Sequence, residues 1–75
     1  MLKREEIIKK IKKNYPFLSV YDKVIIRDNI VNWYSLGGAG VLIKNQFMVK
    51  NNRIIHLNTF EKSTVRGVSN NWRKH

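Results

Sequence analysis

Between residues 20 and 60, short apolar runs alternate with short turn-forming breaks, and this pattern constrains the fold more than any other feature of the chain. The runs are rich in Val, Ile, Trp, Tyr and Phe, which favour a pleated, half-buried surface. The breaks are RDN at 27–29, GGAG at 37–40, KNQ at 44–46 and NN at 51–52. Apolar runs between such breaks predict strands. We expect strands near 23–27, 30–36, 41–44, 46–50 and 53–60, and a weaker strand near 64–68.

The dipeptide Asn51-Asn52 predicts a two-residue hairpin turn. A type I′ turn needs positive φ at both central residues, and Asn tolerates that conformation better than most residues. Counting outward sets the register: Lys50 with Arg53, Val49 with Ile54, Met48 with Ile55, and Phe47 with His56. Like charges directly opposite each other are destabilising. Either a phosphate bridges Lys50 and Arg53, or their two long side chains splay apart in water.

The segment 2–14, LKREEIIKKIKKN, predicts an amphipathic helix, because Ile7, Ile11 and Tyr15 recur at a spacing of four residues. Pro16 ends it, since the residue before a proline avoids the helical region. The predicted fold class is therefore α+β, with this N-terminal helix packed on a small antiparallel β-sheet in one domain, residues 1–75.

A winged helix-turn-helix is the alternative fold, with helices over 22–34 and 39–50 followed by a hairpin. Glycines at 37, 38 and 40 would crowd the start of the last helix, at about 1 kcal/mol each inside it. Apolar residues in 22–34 also spread around most of a helical wheel instead of forming one stripe. The sheet is therefore favoured.

The segments GVLIKNQF, NNRIIHL and SNNWRK together resemble parts of small winged-helix proteins of mobile elements. The resemblance covers about half of the chain and implies the winged helix-turn-helix alternative.

Charge gives the main indication of function. Fifteen Lys and Arg against five Asp and Glu give a net charge of +10 and a pI near 10.3. Such an excess is costly in self-repulsion, and it indicates an anionic partner, most often nucleic acid. An acidic protein surface is a weaker alternative. A membrane is not expected, because no apolar run approaches the roughly 18–20 residues that span a bilayer.

Metal and cofactor chemistry is not expected. The chain has no cysteine, and His56 and His75 with so few acidic residues make no credible zinc site. A general acid–base role for His56 would need a partner among Asp22, Asp28 and Glu61, and none has a diagnostic spacing. We therefore expect a non-enzymatic protein in a reducing, cytoplasmic setting, which is the bacterial host cytoplasm if a phage encodes it.

The tail TVRGVSNNWRKH places an aromatic among cations and amides, which is what single-stranded nucleic acid needs for stacking and phosphate neutralisation. Trp72 could instead fold back to finish a small core. Of the adjacent Trp33 and Tyr34, one should be core and the other on the opposite face. The candidate nucleic-acid contacts are Lys12, Lys13, Lys44, Lys50, Arg53, Lys62, Arg66, Asn71, Trp72, Arg73 and Lys74.

The predicted function is non-catalytic nucleic-acid binding, with RNA slightly favoured over DNA and a homodimer as a possible assembly. The Ile-, Asn- and Lys-rich composition is typical of AT-rich genomes, which suggests a phage or mobile-element origin. Two alternatives remain open. One is a phage-encoded inhibitor of a host nucleoprotein complex, of the anti-CRISPR or anti-restriction type. The other is a small DNA-binding transcriptional regulator.

Overall fold

The computed structural model describes residues 2–18, 23–37, 40–63 and 71–74, and it combines one helix with one sheet. The elements are α1 (Arg4–Asn14), β1 (Lys23–Arg27), β2 (Ile30–Leu36), β3 (Val41–Lys50), β4 (Arg53–Ser63) and β5 (Arg73–Lys74). The strands form one antiparallel sheet in the order β1-β2-β3-β4-β5. The predicted α+β class is confirmed. In these described ranges no helix is long and apolar enough to cross a membrane.

The helix α1 begins two residues later than predicted and ends where Pro16 requires. Its N-cap, Lys3, makes no side-chain capping hydrogen bond. Glu5 and Glu6 lie in the first turn, where their charges complement the helix dipole. At the other end, the Tyr15 backbone N–H donates to the Ile11 carbonyl at 2.8 Å, which closes the last turn.

The β3–β4 hairpin has the predicted turn and register. Asn51 and Asn52 adopt φ of 51° and 62°. The predicted pairs are all present: Lys50 with Arg53, Val49 with Ile54, Met48 with Ile55, and Phe47 with His56. The glycine-rich break also joins paired strands, because Leu36 pairs with Leu42 and the Gly37 N–H donates to the Val41 carbonyl at 2.7 Å.

The predicted break at 44–46 is wrong, because β3 runs through it as one strand. Its polar side chains have cross-strand partners: the Gln46 amide donates to Asn32 Oδ1 at 3.2 Å, and the Thr59 hydroxyl donates to Asn45 Oδ1 at 2.7 Å. Polar residues that pair across strands do not interrupt a ladder. The weaker strand predicted near 64–68 lies outside the described residues.

The winged helix-turn-helix alternative is not confirmed. The described parts of its two additional helices form β1, β2 and β3 instead. The physical reason is the residue content: β-branched and aromatic side chains on alternating positions fit both sides of a pleated sheet, whereas on a helix they would have no single buried stripe.

The hydrophobic core holds side chains from the helix and from the sheet. Its buried members are Ile7, Ile11, Leu18, Val31, Trp33 and Phe47. Trp33 is fully buried, whereas the next residue, Tyr34, is half-buried and outside this cluster. The expected division of these two aromatics is confirmed, because neighbouring strand residues face opposite sides of the sheet.

Replacing Asn52 by Val is expected to lower the free energy of unfolding by about 1–2 kcal/mol, because a β-branched residue is strained at a positive φ. The Asn52→Gly variant is the control. Asn-Gly is a preferred type I′ pair, so its stability should match or slightly exceed that of the wild type. Urea unfolding followed by circular dichroism measures both midpoints. Equal midpoints for the Val and Gly variants would contradict the turn assignment.

Candidate nucleic-acid interface

The register of the sheet sorts its strand residues onto two faces. One face carries Val31, Trp33 and Phe47, and we call it the core face. We call the opposite one the basic face, and its paired positions are Lys23, Ile25, Arg27, Ile30, Asn32, Tyr34, Leu36, Leu42, Lys44, Gln46, Met48, Lys50, Arg53, Ile55, Asn58, Phe60, Lys62 and Lys74.

Charge is distributed very unequally between the two faces. Among the paired strand positions in the described ranges, every Lys and Arg except Arg73 lies on the basic face. The one carboxylate at these described positions, Glu61, lies on the core face opposite Arg73. One side of the sheet therefore concentrates positive charge with no acidic strand residue to offset it, which is an electrostatic footprint for an anion.

The centre of the basic face is an aromatic–lysine cluster, which we define as Tyr34, Lys44, Phe60, Lys62 and Trp72. The Lys44 ammonium lies 4.7 Å from the centroid of the Phe60 ring and 4.8 Å from that of Trp72. The Lys62 ammonium lies 5.6 Å from the Trp72 centroid. These are cation–π distances, so the rings hold the ammonium groups at fixed places on the face.

Trp72 reaches this cluster from the β5 edge of the sheet. Its ring centroid is 6.0 Å from that of Tyr34, with the planes tilted by 56°. It is half-buried and is not a member of the hydrophobic core. The sequence left two positions open for Trp72: on a surface among cations, or in the core. Its contacts with Tyr34, Lys44 and Lys62 agree with the surface position.

A row of three amides crosses the basic face beside the cluster. The Gln46 amide nitrogen donates to Asn32 Oδ1, and the Asn58 nitrogen donates to Gln46 Oε1 at 3.4 Å. Each amide has two donor hydrogens and an oxygen with two lone pairs, so these bonds leave further donors and acceptors on the surface. Such groups can form hydrogen bonds with the edges of unpaired bases.

The hairpin tip brings strand and helix cations together in a way that the sequence did not predict. Arg53 lines a cavity of about 380 Å³ together with Lys10, Lys13 and Asn52. Lys50 lines a different cavity, of about 440 Å³, on the side of Leu2. The two residues pair in register, but Arg53 shares its cavity with helix lysines and not with Lys50.

The remaining candidates have different surroundings. The Lys12 ammonium donates to the Pro16 carbonyl at 2.9 Å, so this lysine is hydrogen-bonded to the turn that follows the helix. Asn71 and Arg73 are exposed, and Lys74 is exposed on the basic face opposite Phe60. Arg66 lies outside the described residues.

His56 belongs to a short hydrogen-bonded chain on the core face. Its Nε2 lies 3.0 Å from the Thr59 hydroxyl, which itself donates to Asn45 Oδ1. A hydroxyl has one hydrogen, so Thr59 accepts from His56, and Nε2 carries the proton. The imidazole also contacts the Phe47 ring, at a centroid distance of 5.3 Å. No group of His, Cys, Asp and Glu in the described ranges could hold a metal ion.

Sequence reasoning missed several members of the basic face, above all Phe60 and the three amides. Tyr34 was anticipated in part, because strand alternation placed one of Trp33 and Tyr34 opposite the core without deciding which one. Phe60 had no such signal, because its side depends on an irregularity in β4.

Fold and site together define an α+β protein whose antiparallel sheet carries a cationic, aromatic and amide-rich face. No protein-family model matches the chain, and neither curated proteins nor solved structures include a match.

Proposed function

We propose that this protein binds nucleic acid without catalysing a reaction, and that the basic face is the binding surface. The observation that carries the proposal is the separation of charge: at the described paired strand positions, every Lys and Arg except Arg73 lies on one face, and the one carboxylate, Glu61, lies on the other. Like charges gathered on a small domain repel one another. A polyanion laid across the face converts that repulsion into attraction and releases condensed counterions.

We further infer that α1 packs across the core face and so leaves the basic face open. Ile7 and Ile11 of the helix belong to the same buried cluster as Trp33 of β2. The Arg4 guanidinium donates to the Val24 carbonyl of β1 at 2.9 Å, and the Tyr15 ring lies 5.2 Å from that of Phe47 in β3. These contacts support a helix that crosses several strands on one side only.

Single-stranded RNA is the favoured ligand, ahead of DNA. Sequence readout in the DNA major groove uses an inserted helix or a two-stranded ribbon. Here Lys12 of the single described helix is hydrogen-bonded to the turn that follows the helix. The open sheet surface instead offers aromatic rings and amides, which suit unpaired bases that stack and form hydrogen bonds along their edges.

Salt dependence tests this proposal. Binding of a fluorescein-labelled single-stranded RNA, followed by anisotropy from about 50 to about 300 mM salt, should weaken linearly on logarithmic axes. Contacts to about five phosphates of a single strand give a slope of roughly −3.5. The same sequence as single-stranded DNA should bind more weakly. An affinity that does not change with salt would overturn the proposal and favour a protein partner.

The non-catalytic part of the proposal has its own test. Labelled RNA incubated with the protein and separated on a denaturing gel should remain intact, with wild type and with the His56→Ala variant alike. RNA cleavage by the wild type that disappears in the variant, with binding retained, would show that the protein is a ribonuclease.

A further inference from the structure

Among the residues that the structure describes, the basic face includes a predominantly apolar depression, which is unusual for so cationic a surface. A cavity of about 520 Å³ opens beside the aromatic–lysine cluster, between the strands β1, β2 and β3 and the Trp72 ring. It is lined by Lys23, Ile25, Tyr34, Leu36, Leu42 and Trp72. Leu36 is 75% exposed, so a large aliphatic side chain at this site contacts water instead of protein.

Two aromatic rings, Tyr34 and Trp72, line this cavity and are accessible from it. The two rings contact each other in a tilted arrangement, with their centroids 6.0 Å apart and their planes at 56°. Both are half-buried. Aliphatic side chains form most of the remaining lining, together with Lys23 and Ser35, so the cavity presents mainly flat and apolar surfaces of the kind that bind a planar heterocycle.

Lysines at the rim of the cavity supply positive charge, which favours a nucleotide over an uncharged apolar ligand. Lys23 lies on the cavity wall. The ammonium groups of Lys44 and Lys62 lie 4.8 and 5.6 Å from the Trp72 centroid. A planar apolar group with anions attached on either side therefore complements the site, whereas an aliphatic peptide or a lipid chain would leave the lysines without partners.

We propose that this cavity binds one unstacked base of a single-stranded nucleic acid against the Tyr34 and Trp72 rings that line it, and that Lys44 and Lys62 neutralise the adjoining phosphates. The volume falls within the range of about 300–1,000 Å³ that small-molecule sites occupy, which leaves room for the ribose as well. This inference rests on the proposed nucleic-acid binding and adds a defined base site to it.

The test compares ligands with and without bases on the full-length protein. The ligands are an oligouridylate and an inorganic polyphosphate of similar charge. Trp72→Ala removes the Trp72 ring, and Trp72→Phe keeps an aromatic ring at that position. Tyr34→Leu removes the second aromatic ring of the cavity. Urea midpoints verify that each variant is folded, since neither Trp72 nor Tyr34 belongs to the core.

Wild type should bind the oligouridylate more tightly than the polyphosphate. Trp72→Ala and Tyr34→Leu should each weaken oligouridylate binding about tenfold and polyphosphate binding much less, whereas Trp72→Phe should stay close to wild type. Oligouridylate should quench the fluorescence of Trp72, because its base stacks on the ring, and polyphosphate should not, because it has no base. The quenching reports on Trp72, since the other tryptophan, Trp33, is fully buried.

Two results would overturn the base site, and they have different meanings. If Trp72→Ala lost affinity for both ligands equally, or lost affinity for neither, the base site would be overturned. The proposed nucleic-acid binding would not be affected by that result. Failure of wild type to bind either ligand would remove the base site together with the proposed function.

Discussion

The Trp33→Ala variant is expected to lose about 3–5 kcal/mol of unfolding free energy, which is the usual cost of deleting a buried Trp or Phe ring. Trp33 is fully buried and belongs to the hydrophobic core cluster of the described residues. A chain of 75 residues has a total stability of roughly 4–11 kcal/mol, so this single change removes much or all of it. Urea unfolding followed by far-ultraviolet circular dichroism measures the loss.

The matched control is Tyr34→Ala, which truncates the next residue on the opposite face. It should cost far less stability, because Tyr34 is half-buried and outside the core, but it should weaken RNA binding. The two neighbours would thus separate folding from binding. A Tyr34→Ala variant less stable than Trp33→Ala would show that the two faces have been assigned the wrong way round.

Local chemistry was sufficient to predict the elements that depend on adjacent residues. Asn51-Asn52 determined a turn type, the turn determined a register, and the register correctly paired Phe47 with His56 nine residues apart in sequence. Pro16 likewise determined the end of the helix. These predictions rest on backbone geometry that two or three residues control by themselves.

The break predicted at 44–46 failed because polarity alone does not distinguish a turn from a strand with polar faces. Asn45 and Gln46 have their partners on β2 and β4, which are far away in the sequence. A polar residue in a strand is stable when a cross-strand partner faces it, and a single sequence does not show which residue that partner is.

The composition of the basic face depended on one irregularity that the sequence did not reveal. Between Gln46 and Phe47 the pairing shifts, because Gln46 faces Asn58 whereas Phe47 faces His56. Leu57 is the extra residue, and it reverses the alternation for the rest of β4. Without this bulge, Phe60 and Lys62 would lie on the core face, and neither would reach Trp72.

The bulge therefore has a direct consequence for the proposed site. Phe60 and Lys62 join Lys44 and Tyr34 on one face only because the side-chain alternation is reversed beyond Leu57. Bulges occur frequently next to functional sites, where they redirect side chains. The candidate cations Lys44 and Lys62 were identified from charge alone, whereas their common position around Trp72 required the three-dimensional register.

Removing the two lysines of the aromatic–lysine cluster should produce the largest loss of RNA affinity. In the double variant Lys44→Gln/Lys62→Gln, two phosphate contacts disappear while an uncharged polar side chain remains at each position. Each contact to a single strand contributes about 0.7 to the salt exponent, so the slope should fall from about −3.5 to about −2.1. At about 0.1 M salt this corresponds to roughly 20- to 30-fold weaker binding. Anisotropy titration at several salt concentrations measures both quantities.

Two controls distinguish the position of the charges from their number. Lys3→Gln/Lys9→Gln removes the same net charge from exposed helix positions, and it should change the affinity less than threefold and leave the slope nearly unchanged. Lys44→Arg/Lys62→Arg keeps charge and cation–π contact, and it should retain binding. Equal losses in the helix and cluster double variants would mean that net charge alone, and not the basic face, attracts the nucleic acid. Because both variants have the same formal charge, their difference isolates what the sheet contributes by placing these two ammonium groups around one tryptophan.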